Sequence, residues 1–287
     1  MGKKQSLIAA NIATVLLGTT GLFARWISIS SVGITFGRVL FSSIVLFAFC
    51  KYKKQDMRMK SKKDALMFLC AGVLLAIHWI TFMEAVKLAS VAVSTITFAT
   101  FPLFLAFLEP MVFHTKLTAK SILISSLVVI GVGITAWGTQ TGSEHFMGIV
   151  VGMASAISYA FLQLFNKNFT YKGYNGTVIS MYEQALVAVV LLPVIIASDI
   201  NPTGKDLLFL LALGVFCTAI AHTTLITAMK NLPATLVGIC NSMETVYGIA
   251  LAFILLGEAP SINEVIGGIV VTVVVIIAQL DKLKEED

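Results

Sequence analysis

The stretch KYKKQDMRMKSKK at residues 51–63, followed by ALMFLCAGVLLAIHWITFMEAV at residues 65–86, decides the fold. A basic loop runs directly into an apolar segment of about 20 residues, the length that an α-helix needs to cross a bilayer core about 30 Å thick. The rest of the chain has the same character, because 57% of its 287 residues are hydrophobic and only 12% are charged. A water-soluble domain cannot bury so much apolar surface, so the sequence predicts a membrane protein.

Similar apolar runs occupy most of the chain. We identify ten of them, at residues 6–24, 31–50, 65–86, 91–113, 119–138, 147–166, 177–197, 206–228, 234–256 and 264–280. Turn-forming residues separate several of the runs, as in Asn201-Pro202-Thr203-Gly204. We therefore expect an all-α membrane protein with ten transmembrane helices.

The distribution of basic residues predicts the orientation of these helices. If the N-terminus is cytoplasmic, 16 of the 20 Lys and Arg residues lie in cytoplasmic segments, and only Arg25, Lys87 and Lys205 lie in outer ones. Cytoplasmic loops of membrane proteins carry such an excess of positive charge. We expect a multi-pass protein of the inner or plasma membrane with both termini in the cytoplasm. The net charge of +5 reflects this topology, so no nucleic-acid partner is expected. We expect the lipid bilayer as a partner, with the basic loop at residues 51–63 near anionic headgroups.

Ten runs divide into two sets of five, and an odd number means that the second set enters the membrane from the opposite face. Short matches between the halves support this division. Leu22-Phe23-x-Arg25 matches Leu164-Phe165-x-Lys167 at a separation of 142, and His78 and His222 are 144 apart. We predict two inverted five-helix repeats, residues 1–140 and 141–287. Such repeats can exchange conformations and open a central site to one side and then to the other.

Several short motifs resemble the EamA type of the drug/metabolite transporter superfamily, over nearly the whole chain. In the first half, AVKLAS at residues 85–90 leads into FATFPLF at residues 98–104. In the second half, METV at residues 243–246 and LLGE at residues 255–258 resemble the family's usual Leu-Glu-Pro-Val and Leu-Gly-Glu. Arg38 matches a common family position, whereas Thr245 stands where the family usually has Pro.

The resemblance implies a ten-helix transporter of small molecules. Members of this family move amino acids, nucleotide sugars, choline-like cations, drugs and other metabolites, and most bacterial members are regarded as exporters. The helix that carries Glu244 is one that the resemblance places at the transport cavity.

Ionisable residues inside a bilayer cost several kcal/mol unless they are paired or hydrated, so each is a functional candidate. We expect Glu244 to offset a cationic group or to bind a proton, and Arg38 to receive a carboxylate in a bidentate fork. The alternatives are a buried structural acid for Glu244 and an ion pair with Glu84 for Arg38. The predicted substrate-binding residues are Glu244, Arg38, His78, Trp79, Glu183, His222, Tyr159 and Tyr247.

These features predict a secondary active transporter that works by alternating access. The expected activity is export of a small amphipathic metabolite, an amino acid or a related zwitterion or amine, with proton coupling through Glu244 or a histidine. The sequence has no Walker A loop for ATP, and no cofactor, catalytic residue or metal site is predicted. Two alternatives remain open: an intramembrane enzyme, disfavoured because HExxH is absent, and a divalent-metal carrier using His78, His222 and Glu244. Substrate identity, direction and oligomeric state are left open.

Overall fold

The computed structural model describes residues 2–114, 116, 118–136 and 142–284, and these residues form helices and short connecting loops without any strand. Eight helical segments are long and apolar enough to cross a membrane: Lys3–Trp26, Ser31–Tyr52, Lys62–Leu88, Val91–Phe113, Ser143–Tyr171, Gly176–Ile196, Gly204–Ala228 and Ala234–Leu256. Two more helices with shorter apolar stretches, Ala119–Ala136 and Ile262–Lys284, bring the described segments to ten. The predicted all-α membrane fold is confirmed, and the segments are numbered below as the first to the tenth span.

The two ends of the bundle differ in charge. Because successive spans run in opposite directions, the loops at 53–61, 172–175 and 229–233 lie at one end with the N-terminus. This is called the basic end, since the loop after the second span carries the densest positive charge of the chain. The loops at 27–30, 89–90 and 257–261 lie at the opposite end. The predicted boundary between residues 140 and 141 falls outside the described residues.

Four spans are interrupted. The first breaks at Thr19, between Lys3–Gly18 and Thr20–Trp26. The eighth contains a π-helical stretch, Leu213–Ile220, between Gly204–Ala212 and Ala221–Ala228. The fourth and ninth spans are each divided into two short helices. The fourth consists of Val91–Phe98 and Phe101–Phe113, and the ninth of Ala234–Asn241 and Glu244–Leu256. The last two breaks, at 99–100 and 242–243, occupy equivalent positions of the two halves, and paired broken helices mark the binding site in many transporters.

The packing of the spans has two-fold symmetry. The contact of the third span with the sixth corresponds to that of the eighth span with the first. The contact of the third span with the seventh corresponds in the same way to that of the eighth with the second. The second also packs against the seventh, the fourth against the ninth and the fifth against the tenth. All these contacts are preserved when the first to fifth spans are exchanged with the sixth to tenth. The inverted repeat therefore places the central spans of both halves around one axis.

Equivalent acids fasten the two halves together at opposite ends. Asp64 begins the third span, where its carboxylate accepts a hydrogen bond from the Tyr174 hydroxyl at 3.0 Å and pairs with Lys172. Burial raises the pKa of Tyr174, so its hydroxyl stays protonated and donates the hydrogen bond to Asp64. Asp206, 142 positions later, begins the eighth span and accepts from the Ser28 amide at 2.8 Å. Each acid thus holds a loop of the other repeat.

Candidate functional site

A small cavity lies at the centre of the bundle, where the broken spans meet. Its lining comes from both repeats and consists of Leu17, Thr20, Arg38, His78, Trp79, Phe82, Phe98, Tyr159, His222, Asn241 and Glu244. The cavity measures about 20 Å³, which holds one water molecule but no organic solute. Arg38 is 0% and Glu244 5% exposed, so the described arrangement is occluded from both ends.

Arg38 has unused hydrogen-bonding capacity inside this cavity. Its Nε atom donates to the Thr218 hydroxyl at 2.9 Å, and its guanidinium lies 4.2 Å from the centre of the Trp79 ring. Its two Nη atoms have no hydrogen-bond partner among the described side chains, although they are fully buried. Buried polar groups are normally satisfied, and the paired Nη atoms fit a carboxylate. The alternative ion pair with Glu84 is not formed, since Glu84 accepts from the Ser31 hydroxyl at 2.6 Å instead.

Glu244 is the first residue of the second half of the ninth span, directly after the break. The helix N-terminus there carries a partial positive charge that favours a carboxylate. Arg38 and the side chain of Asn241 interact electrostatically with Glu244. The cavity therefore contains one fixed cation and one carboxyl, contributed by opposite repeats.

His78 lies on the aromatic side of the cavity. Its ring packs on Phe98 at 4.9 Å and on Tyr159 at 4.5 Å between ring centres. Its Nδ1 atom is 2.8 Å from the Ser155 hydroxyl, and this hydroxyl donates its own hydrogen to the His78 carbonyl at 3.0 Å. Because the serine hydrogen is already used, His78 Nδ1 is the donor to Ser155 and Nε2 is unprotonated in the neutral ring.

His222 and Glu183 form a second buried pair beside the cavity. The His222 Nε2 atom is 3.2 Å from Glu183 Oε2, and the His222 ring is 5.6 Å from the Trp79 ring. Glu183 does not line the cavity itself and is reached through His222.

Six of the eight sequence-predicted site residues line the cavity. They are Arg38, His78, Trp79, Tyr159, His222 and Glu244. The other two, Glu183 and Tyr247, are not among the lining residues. Tyr247 packs against the first span, where a Cβ added to Gly18 would come within 2.6 Å of the Tyr247 Cβ.

The sequence did not single out three polar residues of this centre. Thr20 and Asn241 line the cavity, and Thr218 holds Arg38. Thr20 and Asn241 adjoin the breaks of the first and ninth spans, so a signal for helix interruption would have found them. Thr218 lies in the π-helical stretch and has no such signal.

Two clusters of charged residues join neighbouring spans at the two ends of the bundle. At the opposite end, the Arg25 cluster joins Arg25 Nε to Glu258 Oε1 at 2.9 Å. Arg25 also donates to the Ala89 carbonyl at 2.9 Å, and Glu258 accepts from the Val91 amide at 3.3 Å. The cluster therefore caps the end of the third span and the start of the fourth.

At the basic end, the Lys167 cluster repeats this arrangement. Lys167 donates to the carbonyls of Met229 and Leu232 at 2.6 and 2.7 Å. Glu109 accepts from the amides of Ala234 and Thr235 at 2.9 and 2.8 Å. The cluster caps the end of the eighth span and the start of the ninth.

Lys167 lies inside a longer helix than the sequence predicts. The predicted run ends at residue 166, but the sixth span continues to Tyr171 and includes Lys167, which is only 4% exposed. The physical reason is that the two carbonyls hold its ammonium inside the bundle.

Comparison with known proteins gives the family. A model of the EamA-like transporter family matches residues 4–137 and 146–279, which is most of the chain and one match for each repeat. The chain belongs to the EamA-like transporter family. It is therefore a multi-pass membrane transporter, as predicted, and not an intramembrane enzyme. The metal-carrier alternative gains no support, since no group of three His, Cys, Asp or Glu side chains in the described part of the chain is placed to hold a metal ion.

Several relatives are named transporters. An S-adenosylmethionine uptake transporter of Rickettsia felis is 26% identical over 241 residues, covering 83% of this chain and 79% of that protein. The protein of the same name from Rickettsia prowazekii is 25% identical and covers 93% and 87%. An uncharacterized transporter of Archaeoglobus fulgidus is 23% identical and covers 93% of both chains.

A solved crystal structure supports the fold alone. It superposes with a TM-score of 0.77 at 18% identity, over 97% of this chain and 98% of that chain. The arrangement of the spans is therefore shared with a protein of distant sequence.

Proposed function

We propose that this chain is an alternating-access carrier for a small zwitterionic metabolite of the amino-acid type. The observation that carries the proposal is the buried Arg38 guanidinium, whose Nη atoms have no partner among the described residues, in a cavity that also contains Glu244. A solute with a carboxylate and a cationic group would satisfy both residues at once.

Each part of such a solute has a matching surface. The Arg38 Nη atoms would hold the carboxylate in a bidentate fork. Glu244 would offset an ammonium or sulfonium group. The rings of Trp79, Phe98 and Tyr159 would pack against an apolar or aromatic portion.

The names of the relatives agree with this chemistry. S-adenosylmethionine carries a carboxylate, an amino group, a sulfonium and a purine ring, so it presents every group that the cavity would recognise. At 25–26% identity the solute is a proposal for this chain, and it makes S-adenosylmethionine the first compound to test.

The two charged clusters support alternating access. Because the 20 Å³ cavity is too small for the solute, one end must open to admit it. Opening toward the opposite end would separate Arg25 from Glu258, and opening toward the basic end would separate the Lys167 cluster. Arg25 and Lys167 are equivalent residues of the two repeats, and each cluster joins the end of one span to the start of the next, so the two openings are mechanically alike although Glu258 and Glu109 are not equivalent.

The membrane setting and direction are inferred from the charge distribution and the family. We infer that the protein lies in the inner or plasma membrane with its basic end and both termini in the cytoplasm. Export remains a prediction for this chain. The Rickettsia relatives are named uptake transporters, so uptake is the alternative direction that an experiment must distinguish from export.

Counterflow in proteoliposomes tests the proposal. Vesicles preloaded with S-adenosylmethionine or one of the common L-amino acids should accumulate the same labelled compound from outside. Arg38→Gln should abolish this exchange, whereas Lys205→Gln, which removes an exposed base, should not. Folded wild-type protein that exchanges none of these zwitterions would contradict the proposal.

A further inference from the structure

We propose that the occluded centre binds one proton, shared between Glu183 and His222, and that this pair couples proton movement to solute movement. The coupling rests on the proposed function, whereas the proton site does not.

The geometry of the pair is that of a buried proton site. Glu183 is 0% and His222 3% exposed, and their nearest side-chain atoms are 3.2 Å apart. A contact of this length between a carboxyl and an imidazole needs a hydrogen between them. Three states supply that hydrogen: a protonated carboxyl beside neutral imidazole, a carboxylate beside imidazolium, and a carboxylate that accepts from the Nε2–H of neutral imidazole. The first two contain the extra proton and the third does not, so the surrounding charges decide between them.

The surrounding charges require this proton. His78 on the third span interacts with His222, and Tyr159 on the sixth interacts with Glu183. The cavity that His222 lines also contains Arg38 on the second span and Glu244 on the ninth, and Cys217 on the eighth lies beside Arg38. Arg38 is the single fixed cation among them, and two carboxyls lie around it. Arg38 can compensate one of the two carboxyls, and Glu244 is the one favoured, because it interacts with Arg38 and begins a helix. An ionised Glu183 beside a neutral His222 would then leave one uncompensated charge in a buried site, which is strongly unfavourable.

A contact chain connects the proton site to the solute cavity. The Trp79 ring packs against the His222 ring at 5.6 Å between centres, and the Arg38 guanidinium lies 4.2 Å from the centre of the same Trp79 ring. A carboxylate that binds Arg38 therefore acts on a side chain that packs against His222. When the site opens to water, the compensating proton is no longer required and passes to water from the pair.

A proton titration tests the site without any solute. Detergent-purified wild-type protein, titrated from neutral to alkaline pH, should release one more proton per molecule than the double variant Glu183→Gln/His222→Gln. Any other difference would overturn the proton site. A matched variant, His114→Asn, changes an exposed histidine of the basic end and controls for the loss of an ordinary imidazole.

Coupling is tested in vesicles that contain a pH indicator dye. S-adenosylmethionine and the common L-amino acids are tried in turn, and a gradient of a transported compound should drive protons across the wild-type protein. Glu183→Gln, at a residue that does not line the cavity, should keep counterflow and lose this proton flux. Proton flux that survives in both His222→Gln and Glu183→Gln would overturn the coupling. Wild-type vesicles without any exchange would instead refute the proposed function, and the titration would still decide the proton site.

Discussion

Arg38 is the residue on which the central site depends. Its charge is fully buried, and Thr218 and Trp79 hold it from two sides while its Nη atoms remain unpaired among the described residues. Free donors on a buried cation are costly for a folded protein, and a solute carboxylate that binds them during the transport cycle would offset that cost.

The Arg38→Lys variant distinguishes the bidentate hydrogen bonding of the guanidinium from its positive charge. Lysine keeps the positive charge but cannot donate two parallel hydrogen bonds to one carboxylate. For the zwitterion that counterflow identifies, with S-adenosylmethionine tried first, we expect wild-type protein to bind at least about tenfold more tightly than Arg38→Lys, the loss of one charge-assisted hydrogen bond. Calorimetry with purified protein measures both affinities.

The methyl ester of the same compound is the control, because it lacks the carboxylate. It should bind weakly and equally to wild type and Arg38→Lys. An ester that is as sensitive to the substitution as the free acid would show that Arg38 does not receive the carboxylate.

At the residue scale, charged residues indicated the lining of the cavity better than uncharged polar residues did. Intramembrane Arg, Glu and His are costly, so most of those in the sequence had to converge, and Arg38, His78, His222 and Glu244 do. Hydroxyl residues give no such signal, because most bond their own helix, as Thr35 does with the Ser31 carbonyl. Thr218 and Ser155 could therefore not be distinguished from their neighbours.

At the element scale, hydropathy predicted the spans but not their interruptions. The breaks at Thr19 and at 242–243 contain neither Gly nor Pro, so the apolar runs continue through them. Span ends were also underestimated, since the sixth span extends to Tyr171 with its polar residues buried against other spans. The repeat had a clearer signal than those identified, namely Ser61-x-x-Asp64 and Thr203-x-x-Asp206 at a separation of 142.

These equivalent caps should contribute similarly to stability. Asp64→Asn and Asp206→Asn each weaken hydrogen bonds that begin a span and hold a loop of the other repeat. We expect each to lower the free energy of unfolding by about 1 kcal/mol, and the double variant to show the sum, because the sites lie at opposite ends. Thermal unfolding in detergent measures the effect, with the exposed Asp199→Asn as the control. Unchanged melting of both variants would contradict it.

The two charged clusters should open one at a time, each at its own end. Glu258→Gln weakens the Arg25 cluster and should raise hydrogen exchange at residues 88–92, whereas Lys167→Met should raise it at 229–235. Each variant is the control for the other. Hydrogen-exchange mass spectrometry that finds increased exchange at the same end in both variants would contradict the assignment of one closure to each end.

At the scale of the whole molecule, the inverted repeat unites these features. Caps and clusters recur at opposite ends, the breaks at 99–100 and 242–243 recur inside the fourth and ninth spans, and the central cavity takes residues from both halves. The sequence predicted the division into five and five by counting spans. It could not predict the occluded state, since closure depends on contacts between distant residues such as Arg25 and Glu258.

The most direct test of alternating access is labelling of a single cysteine in the cavity. Thr20→Cys, in a background without Cys50, Cys70, Cys217 and Cys240, is treated with a membrane-impermeant thiol reagent in right-side-out and in inverted vesicles. Because the cavity must open to each side in turn, we expect slow labelling in both vesicle preparations. Labelling in only one of the two preparations would contradict alternating access.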